Sequence, residues 1–212
     1  MLSRSQEITG NIGGKVVGRR ALLLFGLALP FALSACETTA PISGFSKLGF
    51  AHLQPLRLRV ASVTVERQDR GGDLPGRVET QFPQPPGDLA ALWAKQRLQA
   101  VGGLSRLVFL ISESPVVETK LARTKGVTGY FTTDQTERYD ASLKAEARVI
   151  DELGQQVAQA QVSVQRSTTV PEDASLRRRE EYWFNLTEQL LADFDREMEA
   201  SVRKYLFPYL EI

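Results

Sequence analysis

The side chains best suited to attack a substrate or hold a metal are scarce here: there is one cysteine, Cys36, and one histidine, His52. A Cys/His pair could act as nucleophile and base, but Cys36 follows directly on an apolar run and His52 ends a stretch of loop-forming residues. One cysteine makes no internal disulfide, and one His with one Cys cannot complete a His/Cys zinc cage. No Asp-x-Asp-x-Asp-Gly calcium loop or His-Glu-x-x-His helix is present, and Gly71-Gly72 does not lead into a Gly-Lys-Ser/Thr phosphate cradle. The nearest approach to a two-carboxylate hydrolase is Asp134, Glu137 and Asp140. Asp140 shares a strand face with Lys144, which favours ion pairing or plain solvation. Arg177-Arg178-Arg179 could suggest a phosphate site, but Glu180-Glu181 follow at helical pairing distance and make a self-paired, solvated face. The chain therefore reads as a non-enzyme with no cofactor and no metal.

Its 212 residues carry 26 Lys+Arg against 25 Asp+Glu, with 42% hydrophobic content. That composition excludes collagen, a disordered chain, a disulfide scaffold and a polytopic membrane protein. A net charge of +1 argues against a nucleic-acid binder that relies on bulk basicity.

The first 35 residues have the form of an address. Arg4, Lys15, Arg19 and Arg20 face a single acid, Glu7, and residues 21 to 35 (ALLLFGLALPFALSA) carry no charge. The uncharged run is short of the roughly 20 residues a membrane-spanning helix needs. A basic region, a short apolar run and then small residues make a secretory signal. Leu33-Ser34-Ala35-Cys36 then resembles the lipobox of bacterial lipoproteins. That resemblance implies diacylglycerol, and with it palmitate, on Cys36, cleavage before it, and a membrane anchor. The alternative is a plain signal peptide with a chance cysteine. In that family an Asp after the cysteine is the usual inner-membrane retention signal. Glu37 stands there instead, which favours the outer membrane and a periplasm-facing domain. Arg19-Arg20-Ala21-Leu22-Leu23 also resembles part of a twin-arginine signal, though Gly18 and Leu22 depart from it and the very apolar run favours the general secretory route.

Removal of this leader takes away four basic residues and one acid and leaves a side-chain charge of −2 on 177 residues, enough for one domain with a real core. Residues 36–55 read as a lipidated tether, and 56–212 as a single domain. Residues 56 to 66 alternate as a strand with a phase slip near Ala61-Ser62. Gly and Pro mark 67–87 as a long loop. Asp88 is a plausible N-cap for a helix from 89 to about 101 with Leu89, Leu92, Trp93 and Ala100 on one face, stopped by Gly102-Gly103. Residues 107–111 (LVFLI) form a buried strand that Ser112, Ser114 and Pro115 interrupt before Val116 and Val117. Residues 123–136 read as a loop or hairpin tip. Tyr139, Ala141, Leu143, Ala145, Ala147 and Val149 alternate with polar residues, and Ala158, Ala160, Val162 and Val164 return after a turn at 151–154, predicting a hairpin with an Ala-rich inner face. Pro171-Glu172-Asp173 opens a helix running to about Leu206, with Trp183, Leu186, Leu190, Phe194, Met198, Val202 and Tyr205 as its apolar stripe.

The fold class is α+β: a four-stranded, mostly antiparallel sheet with two helices on one face, in the order β-α-β-β-β-α. This order resembles that of the lipopolysaccharide-assembly and ABC-transport auxiliary lipoproteins, at the level of topology alone. The resemblance implies an accessory or scaffold in an envelope assembly or lipid-transport complex, with a protein partner and no nucleic acid. Two places could meet that partner. Tyr130-Phe131 stand on a loop between Gly129 and Thr132-Thr133-Asp134. Val108 and Leu110 face away from the helices and could form a small apolar patch, unless the tether or the 67–87 loop covers them. An alternative function is a periplasmic module holding a small apolar ligand between helices and sheet.

Overall fold

The alternation of apolar and polar residues in the second half of the chain is realised as a long hairpin, around which the rest is arranged. A computed structural model describes residues 44–69, 74–121 and 135–211. The leader, the tetrad at 33–36, Tyr130-Phe131 and Asp134 lie outside the described residues.

Two short strands, β1 (Leu56–Leu58) and β2 (Ser62–Arg67), replace the single strand expected over 56–66. The phase slip is a break, and the two halves join different sheets. After β2 come a 3-10 turn (Glu79–Gln81), helix α1 (Pro86–Arg97) and β3 (Leu98–Ala100), which pairs in parallel with β1. Strand β4 (Arg106–Glu113) and strand β5 (Val116–Lys120) both pair antiparallel with β6 (Gln135–Ile150). β6 then pairs antiparallel with β7 (Gln156–Pro171), which leads into helix α2 (Leu176–Tyr205). The main sheet runs β2-β4-β6-β7, with β5 continuing the line of β4 along β6. It has five strands but four positions, because Ser114-Pro115 splits one position in two. Pro supplies no N–H to the ladder, while its carbonyl accepts from the Ser142 N–H at 3.0 Å. Only the β2–β4 pairing in this sheet is parallel.

The helices differ from expectation at their ends. α1 begins at Pro86, with Pro85 as N-cap and Asp88 in its first turn, and stops at Arg97 rather than near 101. Leu98, Gln99 and Ala100 become extended because they find backbone partners on β1. Gly102 and Gly103, with φ of +102° and +134°, therefore turn the chain toward β4 rather than cap the helix. A Cβ at Gly103 would stand 2.6 Å from the Arg59 carbonyl oxygen, so the turn needs glycine twice over. α2 starts five residues later than Pro171, which still belongs to β7. Its N-cap is Ser175, whose hydroxyl accepts from the Arg178 N–H at 3.3 Å. Thirty residues give it a length of about 45 Å.

One apolar core fills the space between the helices and one face of the main sheet. Leu107, Phe109 and Ile111 of β4, the inward residues Tyr139 to Val149 of β6, and Ala160, Val162 and Val164 of β7 meet Leu89, Trp93 and the α2 stripe from Trp183 to Val202. Trp93, Phe109 and Phe194 make a three-ring cluster with centroids 5.4 to 6.5 Å apart. Tyr205 is left out of the stripe and stands exposed. The stretch expected as loop at 67–87 is partly anchored, since Val78 and Phe82 are buried and Phe82 stacks on Trp183 at 4.9 Å. The tether is also docked over part of its length. Phe45 stacks on Phe184 at 5.1 Å, Phe50 is buried, and its N–H donates to Gln96 Oε1 at 2.6 Å.

Ala141, Ala145, Ala147 and Ala160 are all buried on the inner face, leaving little side-chain bulk at those positions between the hairpin and the elements packed on it. Extra methylenes at such a site cost roughly 1–3 kcal/mol. Ala160→Leu should therefore lower stability by about that amount in urea unfolding, whereas Gln165→Leu on the exposed phase of the same strand should be close to neutral. Equal effects would contradict the close approach of helix to sheet.

Candidate functional site

The outer face of the sheet comes first, because the sequence places a binding patch there. Register sets Val108 between Thr64 and Arg148, and Leu110 between Glu66 and Glu146. Both point away from the helices, opposite to Leu107, Phe109 and Ile111. Yet no apolar patch results: Leu110 is only 3% exposed and Val108 is half-buried. Leu110 sits at the floor of a shallow hollow of about 210 Å³ whose walls include Gln68, Lys144, Glu146, Arg148 and Gln161. Glu146 accepts from Arg148 and from Gln159. The cover is thus long polar side chains from neighbouring strands, with Gln68 from the start of the 67–87 stretch.

Of the carboxylates considered for a hydrolase, the two described ones do not converge. Glu137 and Asp140 are three residues apart on β6, so they lie on opposite faces of the sheet. Glu137 receives the Tyr139 hydroxyl at 2.8 Å and the Arg179 guanidinium. Asp140 receives Arg138 at 2.7 Å on the other side, not Lys144, which instead approaches Glu113 at 3.6 Å. The arginine run is divided in the same way. Arg177 and Arg178 pair with Glu181, while Arg179 reaches across to Glu137 and to the Tyr139 oxygen at 2.9 Å. Burial, and then the nearby charge of Glu118, push the Tyr139 phenol up to about 12.

His52 is exposed at the rim of a hollow of about 320 Å³ between the docked segment and α2. Leu48, Phe50, Leu53 and Leu191 form its apolar part, and Glu188 and Asp195 its acidic edge. This is a surface hollow beside the helix. The space between helices and sheet, where a ligand was expected, is filled by the aromatic cluster. Among the described residues no group of three or more His, Cys, Asp or Glu could hold a metal ion, and no helix is long and apolar enough to cross a membrane.

Sequence reasoning missed two polar clusters inside the body. Arg97, 2% exposed, ends the buried face of α1. Its Nε donates to Asp195 at 3.0 Å and its Nη2 to Glu199, while Trp93 Nε1 donates to the same Asp195 at 2.6 Å. Glu199 also accepts from Arg203 at 2.8 Å. The signal was present in outline: Arg97 follows Leu89 and Trp93 at four-residue steps, and Asp195 and Glu199 are four apart on α2. In the second cluster the Arg67 guanidinium holds Asp69 through two bonds of 2.8 and 2.7 Å and also reaches Asp88, and the Ser114 hydroxyl donates to Asp69. Burial alone would raise the Asp69 carboxyl, but the bonds from Arg67 and Ser114 outweigh it and hold it below the usual carboxylate range. A Cβ at Gly87 would strike all three of Asp69, Arg67 and Ser114, so a larger residue there would have to displace the cluster. Both clusters fix helices in place, and Asp195 of the first also edges the hollow beside α2.

No protein-family model matches the chain, and no curated relative matches it. Among solved structures it is similar to rare lipoprotein B from Shewanella oneidensis, with 12% identity over 66% of this chain and 92% of that one and a TM-score of 0.35. It is also similar to a minor lipoprotein from Acinetobacter baumannii, with 14% identity over 73% and 98% and a TM-score of 0.36. Both neighbours are bacterial lipoproteins, but likenesses this loose transfer no role to the chain.

Two outcomes test these clusters. Arg97→Ala leaves Asp195 and Glu199 facing each other without their buried cation. It should cost roughly 2–4 kcal/mol in urea unfolding, somewhat under the usual loss for a wholly buried pair because the two acids are partly exposed. A loss no greater than that of Lys95→Ala would contradict the bridging role. Because the Tyr139 phenol is raised from about 10 to about 12, its contribution to stability is whole below the ordinary tyrosine range and is lost as pH rises from there through about 12. A phenolate absorbance titration of the folded protein should show a late component, and Tyr139→Phe should remove it.

Proposed function

We propose that the chain is a non-enzymatic, lipid-anchored protein of the bacterial envelope. Residues 1–35 are the export leader, Cys36 is the acylated residue, and 56–212 is the domain that faces the periplasm from the outer membrane. There it serves as an accessory or scaffold for an envelope assembly or lipid-transport complex, with a protein partner. The observation that carries this reading is Leu33-Ser34-Ala35-Cys36 at the end of an uncharged run, with the only cysteine of the chain in the acceptor position. Each buried acyl CH₂ contributes about 0.8 kcal/mol, so two or more chains on one residue hold a protein at the bilayer without any spanning helix.

The body supports the reading in two ways. At Arg97 and Arg67 its charged groups are engaged in fastening helices to each other and to the sheet, each cation held by acids of the same chain. The segment read as linker is tied to the domain over part of its length, with Phe45 stacked on Phe184 of α2 and the Phe50 N–H bonded to Gln96 of α1, so the anchor attaches at a fixed point of the body.

Labelled palmitate should enter the native chain and not Cys36→Ser, and the variant should move from the membrane to the soluble fraction. Absence of label on the native chain, or unchanged attachment of the variant, would sink the proposal.

A further inference from the structure

Among the described residues, five of the seven exposed large apolar side chains gather at one end of the domain. They are Leu104 (76% exposed), Leu153 (82%), Val157 (47%), Tyr205 (53%) and Phe207 (57%). The fold brings them together from three distant parts of the sequence. Arg106 pairs with Ile150, which sets the loop carrying Leu104 beside the β6–β7 turn that carries Leu153. The Ala61 N–H donates to Ser105 O at 2.7 Å, and the Arg59 N–H to Tyr209 O at 2.6 Å, which ties the same loop to the 3-10 turn Phe207–Tyr209. Ser201 bonds both backbone groups of Gln161 at 3.2 Å, which lays the last turn of α2, with Tyr205, along the start of β7.

These side chains do not frame a groove. Leu104, Leu153 and Phe207 each project from the apex of a separate turn, and the backbone of those turns is satisfied internally. Asp151 Oδ1, for example, accepts from the N–H groups of Leu153 and Gln155 at 2.9 and 2.8 Å. Around them stand Arg59, Arg106 and Lys204, all exposed and in no ion pair among the described residues. Lys204 lies over the Tyr205 ring at 4.9 Å. Of the nearby acids, Glu211 is taken by Arg57 at 2.9 Å and Asp151 is turned onto its own hairpin, leaving Glu152. Convex apolar tips ringed by basic and aromatic residues suit a surface that deforms around each tip and offers phosphates at its rim, which is the chemistry of a bilayer interface. A folded protein partner would need a concave match for each turn separately.

We propose that this end of the domain docks on a lipid surface, with Leu104, Leu153 and Phe207 entering the acyl boundary and Arg59, Arg106 and Lys204 meeting lipid phosphates. This contact is separate from the acyl anchor and uses none of its residues. The test is a tryptophan placed at the tip of the full chain, Leu153→Trp, with Leu176→Trp at the start of α2 as the distal control. Each is mixed with vesicles of brominated phosphatidylcholine and phosphatidylglycerol. The indole introduced at 153 should be quenched several-fold more than that at 176, and more weakly when phosphatidylglycerol is omitted. Equal quenching at the two positions, or none at 153, overturns the proposal. So does a discrete protein adduct from a photo-crosslinker at 153 in native membranes where the indole stays unquenched. Palmitate labelling of the same preparations reports the anchor independently, so either idea can fail alone.

Discussion

The structure depends on how near a 30-residue helix can lie to a two-stranded ribbon. Ala141, Ala145, Ala147 and Ala160 keep the inner face of the β6–β7 hairpin low at four positions, between larger residues such as Tyr139 and Leu143, and Trp183, Leu190, Phe194 and Met198 of α2 face it. Small residues on the sheet alternate with large ones from sheet and helix, the arrangement that close packing of a core favours. A sheet face built of Leu or Ile would push α2 outward. That would open the contacts Ser201 makes with the β7 backbone and separate the acids of α2 from Arg97.

That last contact is where packing turns into specificity. Apolar stripes alone would let α1 slide or rotate on α2. Arg97 prevents this, because its planar fork must reach Asp195 and Glu199 at once. A buried ion cluster adds little net stability but penalises any arrangement that leaves its cation alone. Arg67 plays the same part at the other end of α1, holding Asp69 and Asp88 while Ser114 seals the site. The first helix is thus pinned at both termini by charge and along its middle by Trp93. A frame so pinned lets turns at the far end carry exposed leucine and phenylalanine without collapsing onto them.

Part of the fold was legible because period and burial coincide. The hairpin alternates cleanly from Tyr139 to Val149 and from Ala158 to Val164, the α2 stripe recurs at three- and four-residue steps, and the interruption at Ser114-Pro115 is visible as a proline in an apolar run. The errors lie where a partner distant in sequence decides. Residues 98–100 read as the last turn of α1, yet they are extended because β1 offers them backbone bonds. Pro171 reads as a helix start and belongs to a strand because Gln135 lies opposite. Leu110 reads as half of an open patch, and its neighbours' long polar side chains close over it.

The sequence by itself carried the fold class, a pattern that buries itself as two helices on one sheet face, and the motif on which the proposed anchor rests, an uncharged run before a lone cysteine. Those are local properties, set by charge, residue size and period. Which charges meet, and which apolar residues remain outside, were decided only in three dimensions. Glu137 and Asp140 are neighbours in sequence but stand on opposite faces, because successive side chains on a strand alternate. Leu104, Leu153 and Phe207 are far apart in sequence but share one end, because strand register, two backbone bonds and the Ser201 hydroxyl draw their turns together.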